Sequence, residues 1–218
     1  MQSYRHLMTQ VGEGGTNIVT TGNYYGMASS SILEPVMYLY KYTGDYKYLQ
    51  FAKYIVAQWE TPEGPQLITK AINGVPVAAR FPHPFDWFSP ENGQKAYEMM
   101  SCYIGLLELY KVTHNAAYLD AVQKTSPTYH TMETCVTFTW MQLCDKLLAL
   151  TGNPFYADQI EKSLYNALMA ALKDDASQIA KYSPMEGHRC EGEEQCGMHI
   201  NCCNANGPRA FALIPDFA

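Results

Sequence analysis

Three stretches of this chain repeat one pattern, and that pattern restricts the fold to stacked helical hairpins. Residues 34–52 read EPVMYLYKYTGDYKYLQFA, residues 105–122 read GLLELYKVTHNAAYLDAV, and residues 143–160 read LCDKLLALTGNPFYADQI. Each has an apolar-periodic segment, a turn, an aromatic residue and a second apolar-periodic segment. The turns are Thr43-Gly44-Asp45, Thr113-His114-Asn115 and Thr151-Gly152-Asn153. Gly or Asn accepts the left-handed backbone that ends a helix, and Asp or Asn caps the start of the next. The aromatic that follows, Tyr48, Tyr118 or Tyr156, can pack back across the turn.

A single helical hairpin cannot bury its apolar face alone, so the repeats must stack, either as an open solenoid or as a ring of helix pairs. A long segment at 60–92 favours the ring, because loops of that length are usually functional and a helical toroid carries them on the rim where a substrate sits. It holds turn signals at Asn73-Gly74 and Pro82-His83-Pro84, with β-like runs at Gln66-Leu67-Ile68-Thr69 and Val75-Pro76-Val77-Ala78. The expected fold class is all-α: an (α/α) barrel or toroid of helical hairpins, incomplete, with irregular or short β segments at the rim and C-terminus. We expect residues 1–218 to form a single catalytic-type domain that is a fragment. The first two turns lie 70 residues apart and the last two only 38. That disparity leads us to expect a segment missing from the sequence near 125–128, at the Thr125-Ser126 junction. After Leu172 we expect the helix to end, and residues 180–215 to form irregular structure and short strands.

Composition narrows the function. A net charge of −6 with no basic cluster argues against nucleic acid or an anionic membrane as the main partner. No stretch approaches the roughly 20 apolar residues of a membrane-spanning helix, and the first fifteen residues lack the apolar core of a secretion signal. Seventeen tyrosines suit a sugar-binding cleft, though they suit wet helix faces equally. The seven cysteines, an odd number in a chain of this size, fit reduced thiols better than a disulfide scaffold. Neither a glycine-rich phosphate loop nor a Gly-x-Ser-x-Gly elbow occurs.

Two clusters carry candidate chemistry. Glu133-Thr134-Cys135 stands where a helix should begin, and Cys202-Cys203 lies in HINCCNANG, residues 199–207. Adjacent cysteines can share a metal if the backbone turns between them, and the Asn and Gly residues that follow provide that freedom. Three thiolates and a carboxylate make a tetrahedral Zn²⁺ site and disfavour magnesium or calcium. The same residues also read as buried structural cysteines, since no CxxC pair is present.

The run METCVTFTWMQLCDKLLALTGNPFYADQIEKSLYNALMAALK at 132–173, followed by YSPMEGHR and CCNANGPRA, resembles glycoside hydrolase family 127. This is a bacterial group typified by β-L-arabinofuranosidases and formerly an uncharacterised domain family. SSSILEPVMYLYKYTGDYKYLQFAKYIV at 29–56 and KAYEMMSCYIGLLELYKVT at 95–113 are similar to it as well, so the likeness runs from about Thr21 onward. The resemblance implies a Zn²⁺ held by Glu133, Cys135, Cys202 and Cys203. It implies Cys202 as the nucleophile of a retaining reaction, and sugar contacts from Glu161 and Tyr182. It also implies a carbohydrate substrate, β-L-arabinofuranosides or related plant-glycan sugars. One departure stands out: the family's general acid/base glutamate precedes the Glu-x-Cys motif, yet no carboxylate stands between Asp120 and Glu133. We therefore assign no acid/base, and a non-catalytic, zinc-stabilised carbohydrate-binding or scaffold module remains the alternative.

Other residues have two readings each. Trp87 and Phe88 can stack on a sugar ring, and His83 can line the cleft or brace its loop. His199 can orient a metal ligand or a sugar, and His188 and Arg189 can meet a sugar hydroxyl. Cys102 and Cys144, on apolar helix faces, are expected in the core, and Glu34 should complement its helix dipole. Cys190 and Cys196, six residues apart, can pair or stay free.

Overall fold

The computed structural model describes residues 2–77, 80, 96–126, 131–184 and 202–217. It divides into two compact units, Met1–Ser126 and Pro127–Ala218.

The first unit carries seven helices among its described residues: α1 (Gln2–Gln10), α2 (Met27–Ser30), α3 (Leu33–Thr43), α4 (Tyr46–Trp59), α5 (Leu67–Ile72), α6 (Ala96–Thr113) and α7 (Ala116–Gln123). Two of the expected hairpins are here, α3–α4 and α6–α7. In both, the residue that closes the first helix adopts the left-handed conformation, Gly44 at φ 68° and His114 at φ 54°. Its N–H donates to a carbonyl one turn back, on Tyr40 or Tyr110, at 2.8 Å. Asp45 Oδ1 then accepts from the Lys47 N–H at 3.2 Å, and Asn115 Oδ1 from the Ala117 N–H at 3.1 Å. The turn is thus built from local hydrogen bonds between residues visible in the sequence.

Helix α6 is the centre of this unit and is buried without interruption from Cys102 to Leu109. Glu108 in that run is ion-paired with Lys41 of α3 and with Lys111 at 3.1 Å, which offsets the cost of its burial. Tyr103 accepts from Arg80 Nη1 at 2.6 Å and donates to the Leu67 carbonyl at 2.9 Å, while Arg80 Nη2 donates to the Lys124 carbonyl at 2.9 Å. These bonds tie α5, α6 and the end of α7 together. Glu34 lies in the first turn of α3, as expected, and accepts from the Tyr38 hydroxyl at 3.0 Å.

One expectation for this unit fails. The run Gln66–Thr69 was expected to be β-like, but Leu67–Ile72 is helical. The Glu60 carboxylate decides it, accepting from the N–H groups of Ile68 and Thr69 at 2.9 Å each and so capping the helix from outside. Val75 and Pro76 form no strand either. Ala78 and residues 81–95, including His83, Trp87 and Phe88, lie outside the described residues.

The second unit opens with a short strand, β1 (Thr131–Glu133), which runs directly into α8 (Thr134–Thr151). The third hairpin follows, with Gly152 at φ 65° and Asn153 Oδ1 capping α9 (Pro154–Ser163) by accepting from the Phe155 N–H at 3.0 Å. A π-turn at Leu164–Leu168 and a 3-10 turn at Met169–Ala171 continue α9, and the chain is extended at Leu172, where the sequence predicts a helix end. β2 (Tyr182–Pro184) pairs antiparallel with β1 in the register Thr131↔Pro184, Met132↔Ser183, Glu133↔Tyr182. The last helix is α10 (Cys203–Ala212), with a 3-10 turn at Ile214–Asp216 after it.

The strand β2 agrees with the expectation for the C-terminal stretch, and α10 corrects it. Gly207 and Pro208 look like helix breakers but sit inside α10. Gly207 is there for space: a Cβ at that position would collide with the end of Ile179. Its presence lets α10 lie against the segment leading into β2. No helix among the described residues is long and apolar enough to cross a membrane.

Candidate metal centre

The junction between β1 and α8 aims the first two candidate ligands. Glu133 has extended backbone (φ −78°, ψ 128°) and is the residue before the helix, while Cys135 lies in its first turn. The switch from strand to helix between them replaces alternation with helical spacing, so two residues only two apart can face one point. The junction is held by Thr134, whose N–H donates to the Lys181 carbonyl at 3.0 Å and whose hydroxyl donates to the Ala180 carbonyl at 2.7 Å.

The second pair comes from the start of α10. Cys202 precedes the helix with backbone already helical, and Cys203 is its first residue. Cys202 lies in the turn that leads into the helix, and this helix start presents both sulfurs. Cys135 Sγ lies 3.1 Å from Cys202 Sγ and 3.1 Å from Cys203 Sγ. The ligand atoms of Glu133, Cys135, Cys202 and Cys203 all lie within 4.8 Å of one another. Cys135 and Cys203 are buried, Glu133 is half-buried and Cys202 is exposed.

This donor set fits a metal ion. Three sulfurs and a carboxylate oxygen match a tetrahedral, borderline-soft cation, with metal–sulfur bonds near 2.3 Å and sulfurs about 3.8 Å apart. The present spacing needs to open by less than about 1 Å to admit such an ion. The electrostatics agree. Contact with Cys202 pushes the Cys135 thiol up to about 12, with its burial adding to the effect. Cys203 is likewise raised, first by Cys135 and then by Cys202. Three thiols this close resist ionising together, and a divalent cation among them reverses that balance.

The remaining predicted residues fall in three places. Tyr182 stands directly opposite Glu133 in the strand pair, so both side chains share one face of the ribbon. It is half-buried, with Lys181 Nζ 5.3 Å from its ring centre. Glu161 is not one of the four clustered ligands. It is exposed on α9 and lines a groove of about 250 Å³ with Asp158, Lys162, Tyr165 and Asn166. His188, Arg189, Cys190, Cys196 and His199 lie outside the described residues. Cys102 and Cys144 are fully buried, as expected of core thiols.

With this geometry described, the comparisons with known proteins become informative. Residues 122–216 match the sequence model of the β-L-arabinofuranosidase GH127 catalytic domain. That stretch is similar to a GH127 catalytic domain. The match contains β1, α8, α9, β2, α10 and all four clustered ligands. The fold of nearly the whole chain is that of GH127 structures, and the fold class is accordingly the (α/α)-barrel type. A GH127 β-L-arabinofuranosidase from Geobacillus stearothermophilus T6 matches with TM-score 0.61 at 18% identity, covering 96% of this chain and 40% of that one. A second GH127 β-arabinofuranosidase matches with TM-score 0.61 at 18% identity, covering 97% of this chain and 36% of the other. The chain therefore spans about two fifths of the length of these relatives. No curated protein matches the sequence significantly.

Sequence reasoning missed two residues beside the cluster. Asn206 is buried one helical turn after Cys203, and its backbone N–H donates to the Cys202 carbonyl at 3.1 Å. Arg209 Nη1 donates to Asn206 Oδ1 at 2.9 Å, and its guanidinium carbon lies 4.3 Å from the centre of the Phe138 ring. The signal was the spacing of Cys203, Asn206 and Arg209, three residues apart and so on one side of a helix. Gly207 and Pro208 hid that helix.

Proposed function

We propose that this chain belongs to a retaining glycoside hydrolase that acts on β-L-arabinofuranosides or related plant-glycan sugars, with Cys202 as its nucleophile. What carries the reading is the meeting of Glu133, Cys135, Cys202 and Cys203 at one point within a GH127 segment. Zinc is the metal this donor set favours. Held by Glu133, Cys135, Cys202 and Cys203, it would favour the ionised thiols and would stabilise the sulfur as a leaving group.

The chain's own residues supply the rest. Cys202, exposed where Cys135 and Cys203 are buried, is the sulfur a sugar can reach. Its Sγ attacks the anomeric carbon as the bond from that carbon to the glycosidic oxygen breaks, and the departing oxygen takes its proton from water. Water then attacks the same carbon, the carbon–sulfur bond breaks, and two inversions leave the configuration retained. Cysteine thus replaces the carboxylate nucleophile of the usual retaining pair. Tyr182, opposite Glu133 on the strand ribbon, is a sugar contact in this reading. Glu161, His199 and Trp87 are proposed contacts as well.

Replacing Cys202 by Ser in the full-length protein tests this directly. Release of nitrophenol from a nitrophenyl β-L-arabinofuranoside should fall by roughly a thousandfold or more, with the helical circular dichroism unchanged. Undiminished turnover by that variant would eliminate the thiolate mechanism. The absence of a carboxylate between Asp120 and Glu133 favours a second reading, a module that binds sugar without cleaving it. Calorimetric sugar binding with no turnover by the unmodified protein would select that one.

A further inference from the structure

The three sulfurs of the cluster differ in what can reach them. Cys202 is exposed, whereas Cys135 and Cys203 are buried. A reagent arriving from solvent therefore meets Cys202 first. Within 3.1 Å of its Sγ lies that of Cys135, a sulfur that solvent does not reach. The two belong to different elements, Cys135 to the first turn of α8 and Cys202 to the residue before α10.

A disulfide holds its sulfurs about 2.05 Å apart, so this pair needs to close by about 1 Å to form one. The other two pairings are disfavoured. Cys202 and Cys203 are consecutive, and the helical backbone of Cys202 (φ −60°, ψ −24°) sends their side chains in different directions. Cys203 has the same 3.1 Å contact with Cys135, but both of those sulfurs are buried, so neither is the first to meet an oxidant.

We propose that Cys202 is a site of reversible oxidation and that Cys135 captures the oxidised sulfur as a disulfide. The oxidant is hydrogen peroxide or an organic hydroperoxide. Cys202 Sγ takes one peroxide oxygen; the O–O bond breaks, the sulfur gives up two electrons, and the thiol becomes a sulfenic acid as water or an alcohol departs. Cys135 Sγ then attacks Cys202 Sγ, the S–O bond breaks, and the hydroxyl leaves as water with the Cys135 proton. For hydrogen peroxide the sum is two thiols and one peroxide giving one disulfide and two waters. The disulfide removes two of the four clustered donors at once, so a metal ion held there is released. It also protects the site, because a sulfenic acid left uncaptured goes on to sulfinic and sulfonic acids, which thiols do not reverse. A thiol reductant restores both sulfurs by exchange. The crosslink stands on the sulfur geometry alone; the release of an ion and the loss of turnover rest on the readings above.

The test treats full-length protein, metal-stripped and separately zinc-loaded, with a small excess of hydrogen peroxide. Remaining thiols are then blocked with iodoacetamide in denaturant and the peptides mapped without reduction. Both samples should yield a Cys135–Cys202 crosslink with Cys203 alkylated, and dithiothreitol should reverse it. In the loaded sample a chromophoric chelator should register zinc in step with the crosslink. Cys203→Ala should crosslink as wild type does, whereas Cys135→Ala should accumulate sulfinic and sulfonic acids at Cys202. Cys202 carried to those acids in wild type without a crosslink overturns the inference, as does a crosslink made through Cys203. A crosslink that leaves zinc bound overturns the coupling to the metal. If the unmodified protein takes up no zinc, the metal-site reading fails by itself, since the metal-free sample still decides the crosslink. Turnover that survives complete crosslinking removes Cys202 as nucleophile and leaves the crosslink standing.

Discussion

At Cys102 and Cys144 the thiol is sealed among apolar side chains, and burial pushes its pKa up. The thiolate is the reactive form, so these two sulfurs are protected twice, by access and by ionisation. Cys202 lacks the first protection: it is exposed, with its Sγ 3.1 Å from that of Cys135. Brief treatment of the native, metal-stripped protein with iodoacetamide, followed by peptide mass spectrometry, should label Cys202 and leave Cys102 and Cys144 unlabelled until denaturant is added. Labelling of Cys102 at a rate similar to Cys202 would contradict the burial described here. At this scale the four candidate ligands were legible, because carboxylate and thiol chemistry is carried by residue identity alone. Asn206 was not, since an amide announces nothing until the helix that carries it is found.

The element that recurs is the helix-ending turn, seen after α3, α6 and α8. In all three a threonine hydroxyl donates to a carbonyl four residues back, and an Asp or Asn caps the next helix. Only the left-handed position varies: Gly44 and Gly152 in two copies, His114 in the third. A side chain in that conformation costs about 1–2 kcal/mol, partly offset because glycine is freer in the unfolded chain by about 0.4–1 kcal/mol. His114→Gly should therefore stabilise the protein by roughly 0.5–1 kcal/mol, raising the thermal midpoint by about 2–4 °C. A fall in the midpoint would mean that the edge contact of His114 with Tyr110 outweighs the backbone strain. These hairpins were readable from the sequence because every bond in the turn is local. Two helices were not. α5 takes its cap from Glu60, eight and nine residues away, and α10 contains a proline and a glycine, the glycine facing the end of Ile179. Short-range patterns carry neither fact.

At the scale of the whole molecule, the sequence and structural comparisons reach different distances along the chain. The sequence match is confined to 122–216, the stretch that holds the clustered ligands, whereas the structural match extends over 96% of the chain. Helical hairpins in the first unit keep the fold while the sequence drifts, because a buried helix face tolerates many apolar residues of similar size. The strand–helix junction at Glu133 and the helix start at Cys202 bring four donor atoms within 4.8 Å of one another, an arrangement that could hold one ion and that leaves less latitude. A rim segment was expected to be missing from the sequence at the Thr125-Ser126 junction, and residues 127–130 just after it lie outside the described residues. The resemblance implies that an acid/base belongs in the missing segment.

The central claim is that four side chains from two stretches hold one metal, and metal content tests it most directly. Full-length protein, purified without chelator and measured by elemental analysis, should contain about one zinc per chain. The double variant Cys135→Ala, Cys203→Ala should contain essentially none. Protein free of zinc when fresh and unmodified, or a double variant that keeps its full zinc content, would contradict the account.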